Sequence, residues 1–149
     1  MLMLILSVGK ERYAMECKYV LQVLQNADLM PVTQFSQEVL GLLNYHGVPV
    51  PIIDLTYLLS SSYSKDFLAS RIILCKNPSD SSLVGFVAEE VTQAMNFEES
   101  NFAASNQSLQ KFPFLGGMMT REDGIITLIY TDQLVNFVEK NLINQKPTL

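Results

Sequence analysis

The sequence predicts a mainly β protein made of two similar lobes, and three observations support this. Short apolar runs rich in β-branched residues recur along the chain, and glycine-containing turns separate them. A hairpin followed by a short helix occurs twice, at 39–59 and at 115–134. An apolar stripe at helical spacing follows near the end of the chain. Because one unit occurs twice, its copies are expected to form two related β lobes.

The composition is that of a globular protein without a nucleic-acid partner. The chain has 149 residues, predicted to form one domain over 1–149, and 48% of them are hydrophobic. The formal net charge is −5 and the ten basic residues are scattered, whereas nucleic-acid binding needs clustered lysine and arginine. The apolar stretch 1–8 is too short to cross a bilayer and lacks the features of a signal peptide. A cytoplasmic location is therefore expected.

The first part of the chain is predicted to form a hairpin. Residues 2–8 and 12–15 are its arms, with a short polar link between them. The apolar positions of 16–25 fit a helix and a strand equally well, so the pattern leaves both structures open there.

The first copy of the repeated unit is predicted as strand, turn, strand and short helix. The turn falls at 44–47, because asparagine and glycine tolerate positive φ. The second arm is 48–53, and Asp54 offers a carboxylate to the free N–H groups of a helical turn at 55–59.

Two prolines lie in the second arm of this hairpin. Pro49 and Pro51 are two residues apart, so their nitrogens face the same side of the strand. Because proline has no N–H, that side cannot form a complete ladder of hydrogen bonds. The strand is therefore predicted to lie at a sheet edge or beside a bulge.

The second half of the chain continues the β pattern. A polar, flexible loop is expected at 60–65, strands at 71–75 and 83–88, and a long excursion at 96–112. In the second copy of the unit, Thr131 takes the capping position. The final helix carries an apolar stripe made of Leu134, Val135, Phe137, Val138, Leu142 and Ile143.

The residues do not predict an active site. The chain has one histidine, His46, no phosphate-binding glycine loop and no serine in a nucleophile elbow. Cys17 and Cys75 lie far apart with no metal-binding spacing around them, and Cys75 is expected to be a buried apolar residue. We therefore expect no enzyme activity, no cofactor and no metal. His46 is either a solvated turn residue or part of a binding site.

One run of residues carries a resemblance to a known family. Gly41-Leu-Leu-Asn-Tyr-His-Gly-Val-Pro-Val-Pro-Ile-Ile-Asp-Leu resembles the central motif of the CheW family of chemotaxis coupling proteins. The matching positions are Gly41, Asn44, Gly47, Pro51, Asp54 and Leu55. His46 stands where the family usually has arginine, and Gln22 stands where it usually has the partner glutamate. The resemblance extends over nearly the whole chain and favours a helical turn running into a strand at 16–25.

The resemblance implies a fold and a function. The family fold is two intertwined, five-stranded SH3-like β-barrel lobes with a shared core, short helices and a C-terminal helix; the boundary between lobes is placed near 54–70. The implied protein is a non-catalytic adaptor that links a CheA-type histidine kinase to a methyl-accepting chemoreceptor, and homo-oligomers are compatible with it. The implied receptor-binding residues lie in a groove between the lobes: Val20, Gln22, Gly41, Asn44 and His46.

Three other readings stay open at this point. A diverged copy of the domain can serve a type IV pilus or phototaxis pathway with non-standard partners. The same small barrels also occur as the regulatory domain of the kinase, and a small-ligand β-barrel module is a third class.

Overall fold

The computed structural model describes residues 1–25, 27–64, 69–103 and 111–143. Their strands are β1 (Leu2–Val8), β2 (Glu11–Glu16), β3 (Val20–Gln25), β4 (Val39–Tyr45), β5 (Val48–Asp54), β6 (Arg71–Lys76), β7 (Leu83–Ala88), β8 (Glu90–Asn96), β9 (Leu115–Arg121) and β10 (Gly124–Ile129). The helices are α1 (Leu55–Ser60) and α2 (Thr131–Val138), which continues as a π-helical turn over Glu139–Ile143. Single 3₁₀ turns lie at Cys17–Tyr19 and Glu99–Asn101. The predicted mainly β fold with a C-terminal helix is confirmed.

The strands form two five-stranded sheets with the same plan. Sheet A has the order β8-β1-β2-β10-β9, and sheet B has the order β3-β6-β7-β5-β4. In both, the third and fourth strands pair in parallel, β2 with β10 and β7 with β5, and all other neighbours are antiparallel. The two copies of the hairpin-helix unit therefore occupy equivalent places, which fits two SH3-like lobes.

The path of the chain through the sheets is interleaved. Sheet B is built from one continuous stretch, whereas sheet A takes strands from before and after it. The chain changes sheet at Cys17–Tyr19 and again at Glu89. The segment 54–70, where the resemblance places the boundary between lobes, lies within the stretch that builds sheet B. The division into two intertwined lobes of one domain stays a prediction.

Three apolar clusters hold these sheets together. Along β1, Met3 and Ile5 join the cluster of sheet A, whereas Leu4 and Leu6 join a cluster shared by both sheets. Since neighbouring strand residues point to opposite faces, both faces of β1 are buried, which explains its unbroken apolar run. Sheet B has its own cluster, and both helices contribute to the shared one: Leu55, Leu58, Leu134, Val135 and Val138. Cys75 is also buried in the shared cluster, as predicted.

The predicted turn between the hairpin arms is confirmed in detail. Tyr45 pairs with Val48, so only His46 and Gly47 lie between the strands. Their φ angles are 51° and 85°, the positive values that a two-residue turn matching strand twist requires at both central positions. The Gly47 N–H donates to Asn44 Oδ1 at 2.8 Å and closes the turn.

The prolines affect only half of their strand. β5 lies between β4 and β7, so the first alternative, a position at a sheet edge, is wrong for the strand as a whole. The second alternative fits, because the register of β4 against β5 shifts at a bulge between Val39 and Gly41. The pairing of β5 with β7 covers only Ile52 to Asp54 and leaves Pro49 and Pro51 without a partner strand on that side. The proline nitrogens, which cannot donate, therefore face the side of β5 that has no partner strand. This is the placement that the lack of an N–H group in proline predicts.

Asp54 caps α1 as predicted and also holds the segment that follows the helix. Its Oδ1 accepts from the N–H groups of Thr56 at 3.1 Å and Tyr57 at 3.4 Å. Ser64 donates to the same carboxylate through its N–H at 3.0 Å and its hydroxyl at 2.8 Å, and it is buried. The expected flexible loop is thus anchored at Ser64, and Lys65 lies outside the described residues.

The second copy of the unit differs in its cap. Tyr130 occupies the capping position of α2 without a side-chain hydrogen bond, so the prediction for Thr131 is wrong. Thr131 is the first helical residue, and its hydroxyl donates to the carbonyl of Glu16 at 2.7 Å. This bond ties α2 to the end of β2 instead of to its own N-terminus.

The remaining expectations have mixed outcomes. The ambiguous stretch 16–25 is a 3₁₀ turn running into β3, as the resemblance favours. The predicted excursion 96–112 contains the 3₁₀ turn Glu99–Asn101, and 104–110 lie outside the described residues. β8 was not predicted as a strand.

Candidate functional site

The five residues implied by the resemblance all lie on sheet B. Val20 and Gln22 lie on β3, Gly41 and Asn44 on β4, and His46 in the turn after β4. β3 and β4 are the two outer strands of this sheet, with three strands between them. The site is therefore composed of residues from opposite edges.

Among the described residues, a side-chain hydrogen bond joins the two edges. The hydroxyl of Tyr45, at the end of β4, donates to Oε1 of Gln22 on β3 at 3.0 Å. Since outer strands of a flat sheet lie several strand spacings apart, sheet B must curl until its edges approach. This curling brings Gln22 next to the turn that carries His46.

Tyr45 is the functional candidate that sequence reasoning missed. Its ring packs edge-on against His46, with centroids 4.5 Å apart and an interplanar angle of 72°. Gln22 thus has Tyr45 as its partner, whereas the family pattern pairs this position with the turn residue at 46. The sequence signal for Tyr45 is its place immediately before the turn.

Gly41 is buried and presents no side chain to a partner. Its φ is +158°, and a Cβ at this position would lie 2.6 Å from the carbonyl oxygen of Met30 and 3.1 Å from Cβ of Leu29. The Met30 N–H donates to the Leu42 carbonyl at 2.8 Å, and the Leu42 N–H donates back at 2.9 Å. Glycine at 41 therefore allows the segment 29–30 to lie against β4.

An apolar groove adjoins the turn. It has a volume of about 480 Å³, and its lining is Asp28, Leu29, Met30, Leu42, Leu43, Asn44, Gly47 and Pro49. Met30 is 63% exposed and Val48, in the turn-proximal end of β5, is 51% exposed. Apolar side chains this exposed beside a polar turn are typical of an interaction surface.

Val20 has a different environment from the other four. It is half-buried and packs against the cluster shared by both sheets. Val20 therefore supports β3 near the point where the two sheets meet.

A second groove lies between sheet A and helix α1. It has a volume of about 640 Å³, and its lining is Lys10, Glu11, Arg12, Tyr13, Leu59, Lys111, Phe112, Leu115, Met118, Gly124, Ile125 and Thr127. Arg12 forms an ion pair with Asp123, and the Tyr13 hydroxyl donates to Glu11 at 2.6 Å. Burial, together with Glu11, raises the pKa of Tyr13 well above its ordinary value. None of the five implied residues lines this groove.

Comparison with known proteins assigns the family. The model of the CheW-like domain family matches residues 2–139. The chain belongs to the CheW-like family. Among solved structures, the CheW-like chain is similar to the scaffolding protein TtCheW from Thermoanaerobacter tengcongensis, with 18% identity, a TM-score of 0.75, and coverage of 86% of this chain and 82% of that one. No curated protein sequence matches it.

Membership in this family has direct consequences. Proteins of the CheW-like family are non-catalytic scaffolds, so the prediction that the chain is not an enzyme is confirmed. The fold supports a coupling role in chemotaxis in general terms, and scaffolds of this family couple kinases with receptors.

Within the described ranges, no three potential metal ligands come together and no helix is long and apolar enough to cross a membrane.

Proposed function

We propose that the CheW-like chain couples a CheA-type histidine kinase to a methyl-accepting chemoreceptor in the cytoplasm. Membership in the family supports this proposal. The observation that carries it is the exposed surface at the β4–β5 turn, where residues from both edges of sheet B meet beside an apolar groove.

The proposed receptor-binding residues have distinct roles. Gln22 and His46 are exposed and contact the receptor directly. Asn44 shapes the turn through its bond to Gly47, Gly41 positions the segment that ends in Met30, and Val20 supports β3. The mechanism is surface pairing: polar groups orient the receptor tip, and burial of apolar groove side chains supplies much of the affinity.

The proposal is tested by reconstitution from purified components. Receptor cytoplasmic fragment, CheA-type kinase and the chain are mixed, and complex formation and kinase autophosphorylation are measured. We expect a ternary complex and receptor-dependent control of the kinase only when the chain is present. His46→Asn removes the imidazole but tolerates positive φ, so it should weaken receptor binding and leave the fold unchanged. A chain that binds neither protein would contradict the proposal.

A second function is favoured by one observation. His46 and Gln22 replace the arginine and glutamate of the family pattern, and Gln22 bonds to Tyr45 instead of to residue 46. This favours a diverged module that serves a type IV pilus or phototaxis pathway. The same assay with receptor fragments from each pathway separates the two: binding to pilus or phototaxis receptors alone would support this alternative.

A further inference from the structure

The groove between sheet A and helix α1 is not used by the proposed coupling function. Its volume of about 640 Å³ lies within the range of roughly 300–1,000 Å³ that is typical of small-molecule sites. Twelve of the described residues line it, whereas a stable protein–protein interface engages roughly 20–30 residues on each side. The size of the groove therefore fits a small ligand better than a protein partner.

The floor of this groove is apolar and fixed in place. Leu59 near the end of α1, Phe112 before β9 and Leu115 in β9 pack against the cluster shared by both sheets. The Phe112 ring also stacks on Phe114, with centroids 5.1 Å apart, and contacts the ring of Phe137 edge-on at 5.8 Å. Because such packing holds the floor in place before a ligand arrives, binding needs little further ordering of these side chains.

Exposed apolar side chains extend the floor along sheet A. Met118 on β9 is 43% exposed and Ile125 on β10 is 55% exposed, and both line the groove. Covering apolar surface is favourable by roughly 25 cal/mol for each Å² removed from water. The groove therefore favours a ligand with an apolar tail.

The rim of the groove carries a local excess of positive charge. The cations that line it are Lys10, Arg12 and Lys111, and Glu11 adds a carboxylate. Arg12 is paired with Asp123, whereas neither lysine forms a salt bridge with the described residues. Even with Asp123 included, cations outnumber carboxylates here, although the whole chain has a net charge of −5. The rim therefore favours a ligand with a negative group.

The charge and the apolar floor lie next to each other. The Nζ of Lys111 is 5.6 Å from the centroid of the Phe112 ring. We propose that the groove binds a small amphiphilic anion, whose aliphatic or aromatic tail covers the floor and whose carboxylate or phosphate head group pairs with Lys111 and Lys10. Since the floor combines residues of α1 and of sheet A, a bound ligand joins the two and stabilises the folded chain. This inference does not depend on the proposed function.

The test uses the full chain and single-tailed octyl compounds below their micelle concentrations. Octanoate and octyl phosphate carry the two proposed head groups, octanol is the neutral control, and octyltrimethylammonium is the cationic control. NMR titration gives the affinities, and thermal melts report stabilisation. We expect the anions to shift the signals of Leu59, Gly124 and Ile125, to raise the melting temperature, and to bind more tightly than both controls. The tighter of the two anions identifies the head group.

Substitutions separate the head group from the tail. Lys10→Gln and Lys111→Gln each remove one exposed charge, so each should weaken binding of the anions about threefold and leave binding of octanol unchanged. The matched control is Lys76→Gln, which removes the same charge from an exposed lysine of β6 outside the groove and should change neither affinity. Ile125→Ser removes an exposed apolar side chain and should weaken the anions and octanol alike, about fivefold.

Four results would overturn the proposal. They are octanol binding as tightly as the anions, an unchanged anion affinity when Lys10→Gln and Lys111→Gln are combined, and anions that leave the groove signals in place. The fourth is an acidic amphipathic peptide that shifts these signals when neither anion does, because the groove would then be a protein-docking surface. The coupling function stands in each case, since none of the implied receptor-binding residues lines this groove.

Discussion

Replacing Gly41 with alanine tests how β4 is held against the segment before it. The added Cβ would lie 2.6 Å from the Met30 carbonyl oxygen, which is backbone and cannot rotate away. Relief requires the segment 29–30 to move, which breaks the two hydrogen bonds between Met30 and Leu42. A net contribution of about 0.5–1.5 kcal/mol for each bond gives a loss of about 1–3 kcal/mol in unfolding free energy.

Gly47→Ala is the matched control for this substitution. It also places a methyl group at positive φ, but nothing lies within 4 Å of its Cβ. Urea denaturation gives the free energies, and amide hydrogen exchange locates the change. We expect the Leu42 and Met30 amides to exchange faster in Gly41→Ala and at the parent rate in Gly47→Ala. Unchanged protection of both amides in Gly41→Ala, at parental stability, would refute the reasoning.

Three further substitutions test other parts of the structure. Gly47→Val should lower the free energy of unfolding by about 1–3 kcal/mol, because a β-branched residue is strained at positive φ. Gly47→Asn should lower it clearly less, since asparagine tolerates positive φ. Equal melting temperatures of the two variants would contradict the positive φ of the turn. Asp54→Ala removes the cap of α1 and leaves the buried N–H of Ser64 without an acceptor, which should cost about 2–4 kcal/mol in denaturant titrations and accelerate exchange of the Ser64 amide. Burial and the nearby charge of Asp132 raise the pKa of Glu16 above its ordinary 4.5. Ionisation of this carboxyl therefore lowers the free energy of unfolding as the pH rises from its ordinary pKa through its raised pKa. Glu16→Gln should therefore be more stable than the parent at pH 7, and the gain should vanish below about pH 4, where the carboxyl is protonated in both states; equal stabilities at pH 7 would argue against it.

Local chemistry explains what could be predicted from the sequence. The turn at His46 and Gly47 follows from residues that tolerate positive φ, and the cap at Asp54 follows from a carboxylate placed before free N–H groups. Such features depend on neighbours in the chain, so pattern reasoning finds them. The resemblance of the central motif to the CheW family predicted the overall fold, because the spacing of the motif residues reflects this same hairpin.

Contacts between distant residues explain what was missed. The bond between Tyr45 and Gln22 exists only because sheet B curls, and no local pattern encodes that curvature. Ser64 is buried because the Asp54 carboxylate has acceptor capacity left after capping α1, which the composition of a serine-rich stretch does not show. β8 is mostly exposed, so it lacks the alternation of apolar residues that marks a half-buried strand.

The interleaved path of the chain has a consequence for how the protein folds during synthesis. All strands of sheet B have left the ribosome once Ala88 has emerged. At that point sheet A still lacks three of its five strands, and it is complete only when the chain reaches Ile129. Pairing between β2 and β10 joins residues as distant as Tyr13 and Thr127, and contacts of such long sequence separation form slowly. Sheet B can therefore fold first and cover the face of β1 that carries Leu4 and Leu6. The opposite face of β1 stays open until the last strands arrive, and in this interval the nascent chain is most prone to aggregation.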